Sequence, residues 1–135
     1  MKRKININEI INYWQKGAER SFDTAEFLYK GKRFSDCLFF CHLMLGKILK
    51  GLIAQKTKQH APYMHELDIL AKKTELPLTD LQLEQLKIIS TFNIAARYDS
   101  IKESFYKRAT KKYAEKYFYV SKELFLWLKK QYPRK

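Results

Sequence analysis

Arg97 is the first residue of this chain to consider for chemistry. It stands at the expected end of an apolar helix, after Ala95 and Ala96, whose small size allows close packing. Its guanidinium offers several N–H donors in a planar fork, a shape suited to phosphate. The same residue type also serves at a helix C-terminus, against the dipole and a carboxylate such as Asp99 or Glu103. Tyr98 follows directly. Lys102, Lys107, Arg108, Lys111, Lys112 and Lys116 then form a basic stretch interleaved with Tyr106, Tyr113, Tyr117 and Tyr119. Cations of this kind engage phosphates and exposed rings stack on bases. The competing reading is a solvated basic face over an aromatic core, because Tyr113 and Tyr117 share one helix face. Lys47 and Lys50 stand on a narrow polar strip of an otherwise apolar segment, where they either meet an anion or reach solvent along the strip.

Other chemistries find less material. His42, His60 and His65 lack the spacing of a metal-ligand set. His42 is expected to hydrogen-bond inside a helix interface, and His65 to cap or pack at the start of a short helix. Cys37 and Cys41 share a helix face, where an internal disulfide is geometrically unfavourable. They read as reduced core thiols, as in a cytoplasmic protein. No Ser/His/Asp set, phosphate-gripping glycine loop or carboxylate pair stands out. Neither a metal nor a cofactor is expected.

These residues must be held by helices. Ile10, Ile11, Trp14, Ala18, Phe22, Ala25 and Leu28 recur at helical spacing, so a long helix is predicted from Asn8 to Lys30, with Gly31 as its C-cap. The short link Gly31-Lys32-Arg33-Phe34 implies an antiparallel return. Ser35 to Ile53 is apolar on nearly every side, which predicts a central helix capped by Ser35, ending near Gln55 and covered all round. Gly46 within it points to a close-packed neighbour, which includes the possibility of a second subunit. A polar loop, 56–64, precedes a short helix, His65 to Lys73. Thr79 is expected to cap a fourth helix reaching Arg97, Tyr98 to Ser104 to be a loop, and a last helix to run from Phe105 to Gln131 with Tyr113, Tyr117, Val120, Leu124, Trp127 and Leu128 on one side. The expected fold is an all-α, antiparallel up-and-down bundle of four long helices and one short one. It forms a single domain over 1–135 with a basic tail at 1–7.

Composition agrees. The chain has 135 residues, 46% of them hydrophobic, which excludes a disordered polymer. Lys and Arg number 27 against 14 Asp and Glu, a net charge of +13 that favours anionic partners. The N-terminus has no apolar run of the kind a secretory signal needs. The longest nearly apolar run, Cys37 to Leu45, is too short to span a bilayer, so no membrane is expected.

Four local patterns, in order, resemble the HEPN domains (higher eukaryotes and prokaryotes nucleotide-binding). Trp14, Ala18 and Ala25 are similar to the family's opening helix. Gly31-Lys32-Arg33-Phe34 and the run through Lys47 and Leu49-Lys50 resemble its Gly-x-Tyr and Glu-Lys-x-Leu-Lys signature, with Gly46 in place of the Glu. Met64-His65-Glu66-Leu67 resembles its Thr-His-Asp-Leu entry to the short helix. Ala96-Arg97-Tyr98-Asp99 resembles its Ala-Arg-Tyr-Pro, with Asp99 in place of the Pro. Ribonuclease members of the wider superfamily carry a His four to six residues after the Arg. Here Lys102, Glu103 and Ser104 stand near that spacing, and Lys is a poor base at neutral pH. The resemblance therefore implies a nucleotide- or RNA-phosphate-binding homodimeric subunit acting with a separately encoded nucleotidyltransferase, in a toxin–antitoxin-like pair. Its phosphate-binding residues would be Arg97, Tyr98, Lys102, Lys107, Lys47 and Lys50, with no catalytic residue. The alternatives are a metal-independent ribonuclease toxin and a non-specific nucleic-acid-binding protein.

Overall fold

The computed structural model describes residues 6–94 and 98–133. Among them the chain forms six helices and no strand: α1 (Ile7–Lys30), α2 (Phe34–Thr57), α3 (Leu67–Lys73), α4 (Asp80–Ser90), α5 (Asp99–Arg108) and α6 (Lys111–Lys129). The all-α bundle stands, but the count of four long helices and one short one does not. The segment 98–104, read as a loop, instead opens α5, and the single last helix is broken in two at Ala109 and Thr110.

Local chemistry explains the break. Thr110 adopts extended backbone, and its hydroxyl accepts from the Tyr113 N–H, an N-cap that starts α6 afresh. Ahead of it, Phe105 alone buries a full side chain from α5, 5.6 Å from Phe92 between ring centroids. One anchor in ten residues leaves no 3.6-residue periodicity to detect.

α2 is the core helix. Leu38, Met44, Leu45, Leu49 and Ala54 are fully buried, against α1, α6, α3 and α4. By length and composition α2 could cross a membrane, with a mean hydropathy of 1.7, but most of that window is covered by the other helices. Its start differs from expectation. Arg33 holds the N-cap position and Ser35 lies one residue inside the helix, so no side chain caps it. α1 begins at Asn6, whose side chain accepts from the Glu9 N–H at 3.3 Å. At its other end Gly31 is the C-cap, as expected, and the left-handed residue is its neighbour Lys32 (φ 61°). Thr79 caps α4 with a reciprocal Gln82 contact, as expected, but α4 ends at Ser90, well short of Arg97. α3 starts at Leu67, after His65.

Two glycines permit close approach. A Cβ on Gly51 would collide with the Tyr132 hydroxyl, which donates to the Ile48 carbonyl at 2.7 Å and so ties the end of the chain to α2. A Cβ on Gly17 would press on the Lys47 stem at 3.3 Å. Gly46, by contrast, faces Leu67 of α3 at an ordinary 3.7 Å. The neighbour it admits is therefore a helix of the same chain.

Candidate functional site

Equal rise per residue in two antiparallel helices places residues opposite each other when they lie equally far from the link. Trp14 lies 16 residues before Lys30, the end of α1, and Lys50 lies 16 residues after Phe34, the start of α2. Gly17 and Lys47 are both 13 residues from those ends. The hairpin thus sets the polar strip of α2 against a defined face of α1. Lys47 runs its stem over Gly17 and donates from Nζ to the Oγ of buried Ser21 at 2.8 Å. Lys50 places its ammonium 5.3 Å from the Trp14 ring centroid and 6.0 Å from that of Tyr63.

Both lysines are half-buried, and burial holds both pKa values below the usual lysine range, with the Arg20 charge adding to the effect at Lys47. Neither ammonium has a carboxylate within ion-pair distance among the described residues. Four lysines do, Lys30 with Glu26, Lys56 with Glu75, Lys107 with Glu103 and Lys129 with Glu19, and what sets Lys47 and Lys50 apart from the other unpaired lysines is their burial. A half-buried cation with only a hydroxyl or ring partners retains unused attraction for an anion, and two such groups stand one helical turn apart.

Tyr98, Lys102 and Lys107 lie on or at the start of α5. Arg97 lies outside the described residues. Tyr98 occupies the N-cap position of α5, its ring exposed and its carbonyl accepting from the Ile101 and Lys102 N–H groups at 3.0 and 3.1 Å. Lys102 is half-exposed one turn on, and Lys107 spends its charge on Glu103 at 3.7 Å. The structure therefore groups Lys47 with Lys50 on α2, and Tyr98 with Lys102 on α5. Further along, the central rings of the basic stretch belong to the aromatic core. Tyr113 and Tyr117 pack together at 4.8 Å and edge-on to Phe92, while Arg108 and Lys116 lie over aromatic rings.

His42 is 2% exposed, and its Nε2–H donates to the His65 carbonyl at 3.2 Å, an interface bond as expected. That contact assigns the Nε2 tautomer, and Nδ1 has no partner among the described residues. Burial lowers its pKa to about 4 despite the bond to His65. His65 is exposed and neither caps nor packs into α3. Cys37 and Cys41 are free, buried thiols, and Cys41 is held protonated by its hydrogen bond with Cys37 and by burial. Among the described residues no cluster of three His, Cys, Asp or Glu is placed to hold a metal ion.

Sequence reasoning missed Trp14 and Tyr63 as companions of Lys50, and Gly17 and Ser21 as companions of Lys47. The hairpin register would have found all but Tyr63, which comes from the loop before α3.

The described residues thus form an all-α bundle with a central apolar helix and an α1–α2 hairpin, with two half-buried, carboxylate-free lysines on the hairpin's seam. The HEPN domain profile matches residues 11–131, and the chain belongs to the HEPN family. Its fold is similar to the crystal structure of TT1696 from Thermus thermophilus, with a TM-score of 0.75 at 15% identity over 90% of this chain and 98% of that one. No curated protein matches the sequence.

Proposed function

We propose that this HEPN domain is a nucleotide-phosphate-binding helical subunit that performs no chemistry alone. The observation that carries the reading is the pair of half-buried, carboxylate-free ammonium groups of Lys47 and Lys50. Arg97, Tyr98 and Lys102 are further phosphate-binding residues in this reading, supported by the Ala-Arg-Tyr resemblance and by the net charge of +13. Lys107 contributes least, because Glu103 already engages it. The subunit acts in the cytoplasm, as a homodimer, with a separately encoded nucleotidyltransferase in a toxin–antitoxin-like pair. Half-exposed Phe39, Phe40 and Leu43 on α2 supply apolar surface for the second copy. The absence of His at positions 102–104 supports binding over RNA cleavage.

Calorimetric titration with mononucleotides tests the reading. Lys47→Gln and Arg97→Ala are each expected to weaken binding about tenfold, the loss of one charge-assisted hydrogen bond. Affinities equal to the parent's would remove the substituted residue from the site. Metal-independent RNA cleavage in EDTA that vanishes in Arg97→Ala would establish the ribonuclease alternative instead.

A further inference from the structure

We propose that Trp14, Lys50, Tyr63 and His65 form a nucleobase-stacking site that seats a nucleoside phosphate, its base on the Tyr63 side and its phosphate toward Lys50 and Lys47. The inference rests on the phosphate reading above and names the ligand class. Tyr63 is 92% exposed, so its ring contributes almost nothing to the core. It is nonetheless positioned. Pro62 restricts the backbone before it, the His65 ring meets it edge-on at 5.4 Å, and the Lys50 ammonium lies 6.0 Å from its centroid.

The loop that carries these rings is moored from below. The His65 carbonyl accepts from the buried His42 Nε2–H at 3.2 Å, and the His65 N–H donates to the Glu66 carboxylate at 3.3 Å. That places one negative charge at the loop, on the side of His65 that leads into α3. The Trp14 ring centroid is 5.3 Å from the same ammonium. A solvent-facing ring beside a cation that lacks a carboxylate fits a ligand with a π-face and an anionic group a few ångströms away. A nucleoside phosphate has both, whether free or within an RNA strand. An inorganic anion would leave the ring unused, and an apolar ligand would leave the cation unused.

The chain has two tryptophans, so Trp127→Phe leaves Trp14 as the fluorescent reporter. In that background, AMP, ribose 5-phosphate and a 5′-phosphorylated oligoadenylate are titrated. AMP is expected to quench Trp14 and to bind about tenfold tighter than ribose 5-phosphate, the usual increment for one stacked base. Tyr63→Ala should remove that difference and leave ribose 5-phosphate binding unchanged, and its solvent exposure keeps the fold out of question. Tighter binding of the oligoadenylate than of AMP would identify an RNA strand as the source, and equal binding a free nucleotide. If AMP and ribose 5-phosphate bind equally, and Tyr63→Ala alters neither, the stacking site is refuted and the phosphate reading survives. If neither compound binds, the phosphate reading itself fails.

Discussion

Buried His42 should make this protein acid-sensitive in a defined window. In the folded state its pKa is about 4, against 6.5 for an unhindered imidazole. Burial is the main cause, and the nearby His65 and Lys50 also oppose a positive charge there. The sign follows from proton binding. Between those two values the unfolded chain takes up a proton that the folded chain refuses, so acid stabilises the unfolded state. The full contribution is present above about pH 6.5 and is lost as the pH falls to about 4. The displacement corresponds to about 3 kcal/mol, a large share of the ~5–15 kcal/mol of a typical domain. His42→Gln supplies a non-titrating comparison that keeps an N–H donor for the His65 carbonyl. Urea unfolding at several pH values between about 7 and 4.5 measures both proteins against the same carboxylate background. The parent should lose about 2–3 kcal/mol more than the variant across that range. Parallel curves, within about 0.5 kcal/mol, would refute the buried neutral imidazole.

Two further substitutions test the packing around α2. Leu45→Asp places a carboxylate at a fully buried position and should unfold the domain, since an unpaired buried charge costs several kcal/mol; a variant that keeps the parent melting temperature would contradict the central-helix assignment. Gly51→Ala gains about 1 kcal/mol of helix propensity but forces Tyr132 off the Ile48 carbonyl and presses on the Trp14 Cβ at 3.1 Å. Overpacking of about 1–3 kcal/mol plus a lost hydrogen bond outweighs that gain, so thermal unfolding should show a lower melting temperature, and a rise would refute the close approach.

The parts of the fold with dense, periodic apolar residues were legible in the sequence. α2 was recognisable because apolar residues at 38–41, 43–45, 48, 49, 52 and 53 leave it only a narrow polar strip, and α1 because its stripe repeats through Ile11, Ala18 and Ala25. α5 was not, because a helix held by Phe105 alone carries no repeat, and Thr110 in the middle of a basic run does not advertise itself as a cap. Ser35 resembled a cap by type, yet the turn closed by left-handed Lys32 starts α2 one residue earlier, at Phe34. At the site, Lys47 and Lys50 were visible as the polar strip of α2. Their isolation from carboxylates was not, since it depends on which glutamates the folded chain sends to Lys30, Lys56, Lys107 and Lys129. The role of Tyr63 required the loop geometry set by the His42–His65 bond.

The central claim, that Lys47 and Lys50 await a phosphate, is open to one direct measurement: NMR pH titration of isotope-labelled lysine side chains, with and without a mononucleotide. In the free protein these two residues should titrate below the exposed lysines, because burial disfavours their charge. A bound phosphate favours the ammonium form, so the nucleotide should raise both midpoints. A nucleotide that saturates the protein and leaves Lys47 and Lys50 unmoved would contradict the account.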